Sequence, residues 1–410
     1  MDGVGKKILF VSYDGMTDPL GQSQVIPYLR ELTKEGYQFT ILSVEKKERF
    51  KKSAAFISQL LKDAGIKWET LLFTGQPPVI SKIYDQWKLN RKAATLHKQQ
   101  KFDMLHCRSY VAAEIGAKLS LRLGIPFLFD MRGFWVDERV DSGLWNLKNP
   151  LYRFFYKIYK RKEKKYFANS RHIISLTEKG KEELINNYGI SEKKISVIPC
   201  CADLDHFDYR KISNSKKEEV KEKTGIRNTA KVLTYLGSLG GWYMVDEMLD
   251  FFAVLKKDIP DAIFLFITHD SKEPIISKAI KRGIEPEAIR VQPASRNEVP
   301  LYLSLSDWSI FFIKDLYSKK ASSPTKQAEI MAMGIPIICN DIGDTGKIVS
   351  ETKSGIVINR FSEDEYKRAA VQLKDLLPAD KEHIRQSAGQ HYDLHKGTSM
   401  YSKVYKKIIG

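Results

Sequence analysis

The chain has 410 residues, 43% hydrophobic and 29% charged, a globular composition with room for two or three domains that each bury a core. Its net charge of +17 is uneven: residues 1–200 hold 35 Lys plus Arg against 21 Asp plus Glu, and residues 201–410 hold 32 against 29. No apolar run approaches the length of a membrane span, and Lys6 and Lys7 lead into the strand-like ILFVS rather than a signal-peptide core, so a cytoplasmic protein is expected.

Short β-branched and aromatic runs alternate with longer helical patterns from end to end, the rhythm of parallel sheets with crossover helices. Strands are expected near 7–12, 38–44, 67–73, 103–107, 126–130, 171–175 and 195–198. A polar, lysine-rich segment from about 203 to 229 interrupts the pattern, which resumes with strands near 231–236, 262–267, 288–291, 308–313, 335–339 and 354–358. The expected architecture is α/β, with two doubly wound domains facing across a cleft lined by the carboxyl ends of the strands. Residues 1–203 form the first, residues 204–380 the second, and a helical tail, 381–410, crosses back to the first. Cys107, Cys200, Cys201 and Cys339 have neither metal-ligand spacing nor a secreted disulfide pattern, which fits a reducing compartment.

The loops carry the candidate chemistry. After the first strand, YDGMTDPLGQSQ places Gly15, Pro19 and Gly21 before a helix starting near Ser23. Glycines there let backbone approach a ligand, or simply make a tight turn. The fifth strand ends in LFDMRGFWVDER, which puts Asp130, Arg132, Asp137 and Glu138 on a loop opening into the cleft. Arg132 can clamp a phosphate or carboxylate, or these charges can pair with one another. Phe134 and Trp135 stack on a sugar or belong to the core. The segment 148–167 is amphipathic, with Leu151, Phe154, Phe155, Ile158 and Tyr159 to one side and a basic remainder, which suits packing on its own sheet with lysines and arginines toward lipid headgroups. In the second half, YLGSLGGWY offers Gly237, Gly240 and Gly241 after a strand.

The most informative stretch is SSPTKQAEIMAMGIP, 322–336. Ser323 is expected as N-cap and Pro324 at the first helical position, with Gly334 and Pro336 ending the helix. Lys326 then lies in the first turn, with Lys319 and Lys320 just upstream, where the helix dipole repels cations. Three lysines there make sense around a bound anion. Glu329 faces the same side and can accept from sugar hydroxyls; the alternative is a capped surface helix with a Lys326–Glu329 pair.

These residues resemble the donor site of retaining glycosyltransferases of family 4, which have the GT-B fold of two Rossmann-like domains. Ser322, Pro324, Glu329, Met331, Ala332, Gly334 and Pro336 match that family's motif. Ala321 stands where its first glutamate would be, Ser238 follows Gly237 where an arginine is usual, and Asp130 stands where a histidine often ends the fifth strand. Lys326, in a Ser-Pro-x-Lys variant, supplies the missing charge.

The resemblance implies a hexosyltransferase acting with retention on a nucleotide diphosphate sugar, needing no metal or other cofactor. Glu329 would hold the ribose, Lys326 would stabilise the leaving group, and the phosphates would lie near Gly240, Gly241, Ser323 and Thr325. Arg132, Asp130 and the loop from Gly15 to Gly21 are the remaining candidates for acceptor or donor contacts. The expected acceptor is a glycan or lipid-linked glycan of cell-surface polysaccharide biosynthesis, reached by a peripheral protein on the inner face of an anionic membrane. Nucleic acid is not an expected partner. Two rivals are a non-catalytic sugar-nucleotide binder, suggested by Ala321 and Ser238, and a nucleotide-sugar 2-epimerase, which needs proton-moving carboxylates and no acceptor.

Overall fold

In the computed structural model, which describes residues 5–376 and 379–410 with the side chains of 78–80 left aside, a strand forms at every place where a branched or aromatic run announces one. The first sheet holds β1 Lys7–Ser12, β2 Gln38–Glu45, β3 Lys67–Leu72, β4 Met104–Arg108, β5 Phe127–Asp130, β6 His172–Ser175 and β7 Ile195–Val197. Their order is β3-β2-β1-β4-β5-β6-β7, all parallel. The second holds β8 Val232–Leu236, β9 Ile263–Ile267, β10 Ile289–Gln292, β11 Trp308–Phe311, β12 Ile337–Cys339 and β13 Gly355–Val357, parallel in the order β10-β9-β8-β11-β12-β13. Helices cover both faces of such sheets, so their central strands are apolar without alternation. Ile8, Leu9, Phe10 and Val11 of β1 are all buried, as are Phe264, Leu265, Phe266 and Ile267 of β9.

Two compact units result. One contains the chain up to Pro199 with Tyr317–Ser322 and Leu394–Gly410; the other contains Cys200–Leu316 and Ser323–Asp393. Strand order reverses between β1 and β4 in the first unit and between β8 and β11 in the second. At such switch points the strand ends leave room for a ligand.

The lysine-rich interruption is not structureless: it contains the helix Asn214–Thr224, capped at its start by the Ser213 side chain and closed by left-handed Gly225. The tail is divided: helix Lys381–His391 belongs to the second unit, and helix Leu394–Ile409 packs on helix Ile26–Lys34 in the first. Asp137 and Glu138, expected on a loop, lie in helix Trp135–Asp141, and Phe134 is core. In helix Pro150–Asn169 only Glu163, Tyr166 and Phe167 are buried, while Leu151 and Phe154 are 56% and 59% exposed. The apolar stripe expected to pack on the sheet therefore leaves its first two turns facing outward. All four cysteines are buried and none of them is in a disulfide among the described residues. Among the described residues no helix is long and apolar enough to cross a membrane.

Candidate functional site

In the second unit the switch point is built around one lysine. Gly237, with φ 104°, turns the chain after β8, and a Cβ there would come 3.3 Å from Lys326 Nζ. Lys326 is the second residue of helix Thr325–Ala332 and is buried. Its Nζ donates to Tyr235 Oη at 2.9 Å and lies 3.6 Å from the ring centroid of Tyr243 and 4.1 Å from that of Tyr235. Tyr235 Oη in turn donates to the carbonyl of Ser238 at 2.6 Å, so the phenol ties the ammonium to the glycine loop. Among the described residues no carboxylate forms an ion pair with Lys326. Burial holds its pKa well below the usual lysine range, and the charge of Glu329 only partly opposes this. Two ring faces and a phenol oxygen offset some of the desolvation of an ammonium, but they do not neutralise it. An anion beside Nζ would.

Glu329, one turn along, is engaged elsewhere: Arg296 Nη1 donates to its Oε1 at 3.0 Å. Burial pushes the Glu329 carboxyl up, and Arg296 pulls it back. Arg296 itself lies over the Phe207 ring at 5.3 Å. Every residue from Lys326 to Ala332 is buried, so this is not a surface helix with a Lys326–Glu329 pair. Gly240 and Gly241 are exposed, and an added Cβ at Gly241 would meet nothing within 4 Å. Thr325 is half-buried at the first helical position.

Two expectations here are corrected. Ser323 is not the cap: Pro324 holds the N-cap position, and Ser323 Oγ accepts from the Cys200 amide at 3.1 Å. The three lysines do not converge either. Lys319 lies 3.7 Å from Glu138, and Lys320 pairs with Glu183 at 2.7 Å, both within the first unit. Only Lys326 lies at the helix start without such a partner.

The loops of the first unit are filled by the protein's own groups. A Cβ on Gly15 would fall 2.5 Å from the Glu45 carboxylate and one on Gly21 2.3 Å from the Gly15 carbonyl, so a close turn needs glycine at both positions. Glu45, 0% exposed, accepts from the amides of Met16 and Thr17 at 2.7 and 3.1 Å and from the hydroxyls of Thr17 and Ser43. Asp130 ends β5, as the expected strand 126–130 has it, and it is buried instead of lying on an open loop. It lies 3.5 Å from His106 Nε2 and 3.7 Å from Arg132 Nη1, and it accepts from Tyr401 Oη at 3.3 Å. Burial pushes Asp130 up, but Arg132 and His106 outweigh it and hold the carboxyl at about 2. Asp130 thus lies beside Arg132 as an ionic neighbour. Arg132 has φ 61°, a left-handed conformation uncommon for a side-chain-bearing residue and frequent near functional sites.

Tyr235, Tyr243, Arg296 and Glu45 are not signalled by any short-range motif. The hint available for the tyrosines is position: Tyr235 lies two residues before Gly237, and Tyr243 two after Gly241.

Comparison with known proteins bears on the fold and the family. Residues 23–206 match the model described as Glycosyltransferase Family 4, and residues 216–388 match Glycosyl transferases group 1. The chain is 23% identical over 288 residues, 68% of each protein, to a UDP-Gal:alpha-D-GlcNAc-diphosphoundecaprenol alpha-1,3-galactosyltransferase of Escherichia coli. It is 23% identical over 222 residues, 53% of this chain and 50% of the relative, to an alpha-monoglucosyldiacylglycerol synthase of Acholeplasma laidlawii. Its fold matches Anabaena HepE in complex with UDP and glucose with a TM-score of 0.69 at 13% identity, covering 98% of this chain and 99% of that one. With two parallel Rossmann-like sheets and both family models matched in order, the chain belongs to the family 4 glycosyltransferases of the GT-B fold and is a glycosyltransferase.

Proposed function

We propose that the protein transfers a hexose from a uridine diphosphate sugar to a lipid-linked acceptor, with retention, in the assembly of a cell-surface glycan. The observation that carries the donor side is Lys326, a buried ammonium at the β8–β11 switch point with phenol and ring neighbours but no carboxylate partner. A diphosphate supplies the missing countercharge. Gly240, Gly241 and Thr325 leave backbone near it, and Glu329, oriented by Arg296, takes the ribose hydroxyls. As the glycosidic bond breaks, negative charge grows on a phosphate oxygen, and a fixed cation there lowers the barrier. With Lys326 and the helix start in that role, no metal is required. The relatives support the choice of substrates: one is named for UDP-Gal and a diphosphoundecaprenol acceptor, another for a diacylglycerol product, and HepE binds UDP and glucose.

Ala321 cannot make the sugar contact of the family's first glutamate, and it is buried with its Cβ 2.9 Å from where a Cβ on Gly180 would lie. The donor sugar is therefore held by other groups. Arg132, propped by Asp130, is assigned to an anionic group of the acceptor.

Thermal melting against a panel of nucleotides and nucleotide sugars tests this reading. Ligand at a hundred times its dissociation constant should stabilise by about 2.7 kcal/mol. The shift should appear with UDP and UDP-hexoses and vanish in the Lys326→Ala/Glu329→Ala double variant. A shift that the double variant keeps would place the donor elsewhere. Retention is checked by the anomeric configuration of the product in NMR.

A further inference from the structure

Helix Pro78–Gln100 has two distinct faces. Ser81, Asp85, Leu89, Ala93 and Leu96, three and four residues apart, are buried. At about 100° per residue, Ile83, Tyr84, Trp87 and Arg91 fall on the opposite side. Ile83 is 63% exposed, Tyr84 50% and Trp87 53%. Tyr84 and Trp87 stack with centroids 6.0 Å apart, with Lys88 Nζ 4.7 Å from the first ring and the Arg91 guanidinium 5.4 Å from the second.

Helix Pro150–Asn169 repeats the pattern. Its exposed Leu151 and Phe154 sit among Arg153, Lys157, Arg161 and Lys164, which are also exposed. One rule of charge covers both helices. Each contains a single carboxylate, Asp85 in the first and Glu163 in the second, and these are 1% and 0% exposed. Every charge that either helix shows to solvent is therefore positive. The two helices flank a common cluster: the Arg139 charge opposes that of Lys82 on the first helix, Arg139 lies 4.7 Å over the Trp135 ring, and Trp135 and Trp145 each meet Tyr159 of the second helix at 5.5 Å. Leu144, next to Trp145, is 57% exposed.

An ordinary solvated face mixes charge signs and shows few large aromatics. Rings with an apolar body and a polar tip, beside long cationic stems, suit the boundary between headgroups and acyl chains. We propose that Ile83, Tyr84, Trp87, Leu151 and Phe154 dock the first unit on an anionic lipid bilayer, with the surrounding lysines and arginines on lipid phosphates. Charge complementarity selects this occupant: the charges that the two helices themselves expose around these apolar residues are all positive, and the cytoplasmic face of a membrane is anionic. The inference rests on the reading that the acceptor is carried in a lipid, and it names the surface by which the protein reaches it.

The full chain is sedimented with vesicles of phosphatidylglycerol and phosphatidylcholine, and with phosphatidylcholine alone. The wild type should bind the anionic vesicles roughly tenfold or more better, and added salt should weaken that binding. The Tyr84→Ser/Trp87→Ser/Phe154→Ser variant should lose roughly tenfold of it while keeping its circular dichroism and melting temperature, because all three side chains are already exposed. Trp87→Phe alone should keep most of it. Wild-type protein that stays in the supernatant, or a triple variant that sediments like the wild type, overturns the proposal. So does a triple variant that loses self-association by light scattering but binds vesicles normally, which would assign the surface to a second copy of the chain. Vesicle binding needs no donor, so a failure of sugar transfer to a short soluble acceptor would strike the proposed function and leave the docking result standing.

Discussion

At the ends of β1 and β5 in the first unit, charge is matched from within: Glu45 takes the amides and hydroxyls of its neighbouring loop, and Asp130 is held by His106, Arg132 and Tyr401. At the ends of β8 and β11 in the second unit, Lys326 is also buried but touches Tyr235 and Tyr243, with the Glu329 charge nearby and, among the described residues, no ion pair. Both sheets wind in the same way and both follow their first strand with a glycine-containing loop. The difference lies in ionic pairing, since Asp130 has cationic neighbours although its Oδ1 accepts no hydrogen bond, whereas Lys326 has no ion-paired carboxylate among the described residues. A paired buried charge stiffens a scaffold, whereas a buried lysine without an ion pair is the feature on which the proposed donor site rests.

The largest effect should come from removing that cation. Lys326→Ala should lower kcat/KM about 10²- to 10³-fold, the scale of losing one preorganised charge stabiliser. The same substitution should leave the melting temperature of the free protein unchanged or slightly raised, because it deletes a buried charge with no ionic partner. A loss of activity accompanied by a fall in stability would erase the contrast between the two strand ends. Glu45→Ala is the converse. Leaving the buried amides of Met16 and Thr17 unpaired should cost about 2–5 kcal/mol in denaturant unfolding, with the UDP dissociation constant of the surviving folded protein unchanged.

The fold was legible in the sequence because strands covered on both faces declare themselves as unbroken apolar runs: KILFVS and IFLFI need no partner to be recognised. The helix that carries Lys326 and Glu329 was legible because a helix has its own punctuation in Pro324, Gly334 and Pro336. What could not be read is who meets whom at the strand ends. Tyr235 lies 91 residues from Lys326, and Arg296 lies 33 from Glu329, separations that no local period spans. Gly15 and Gly21 show the reverse ambiguity, since bare α-carbons permit close approach by the chain itself as readily as by a ligand, and here the approach is made by Glu45 and by the loop's own backbone. Asp130 was legible as the end of the fifth strand, whereas its inward pairing with His106 was not.

Titration separates the two regions further. Asp130, at about 2, is depressed below its ordinary value, so its contribution to stability is present at neutral pH and is lost as pH falls through the acidic range toward 2. Lys326 works the other way. Burial lowers its pKa, so over the window between its folded value and the ordinary lysine range the unfolded chain holds more protons, and stability rises with pH. Donor affinity must have the opposite slope, because a diphosphate favours the protonated ammonium: UDP binding should weaken as pH rises past the pKa of free Lys326, by up to about tenfold per pH unit. The smallest substitution tests the mechanism of that limb. Tyr235→Phe keeps the ring beneath the ammonium and removes only the hydroxyl that accepts from Nζ, a loss of about 1 kcal/mol or three- to tenfold in UDP affinity at neutral pH. With one acceptor fewer, the ammonium is less favoured in the free protein, so the alkaline limb of UDP binding, followed by calorimetry, should move to lower pH. An unmoved limb would mean that the ring faces alone set the charge of Lys326 and that the phenol serves the Ser238 loop instead.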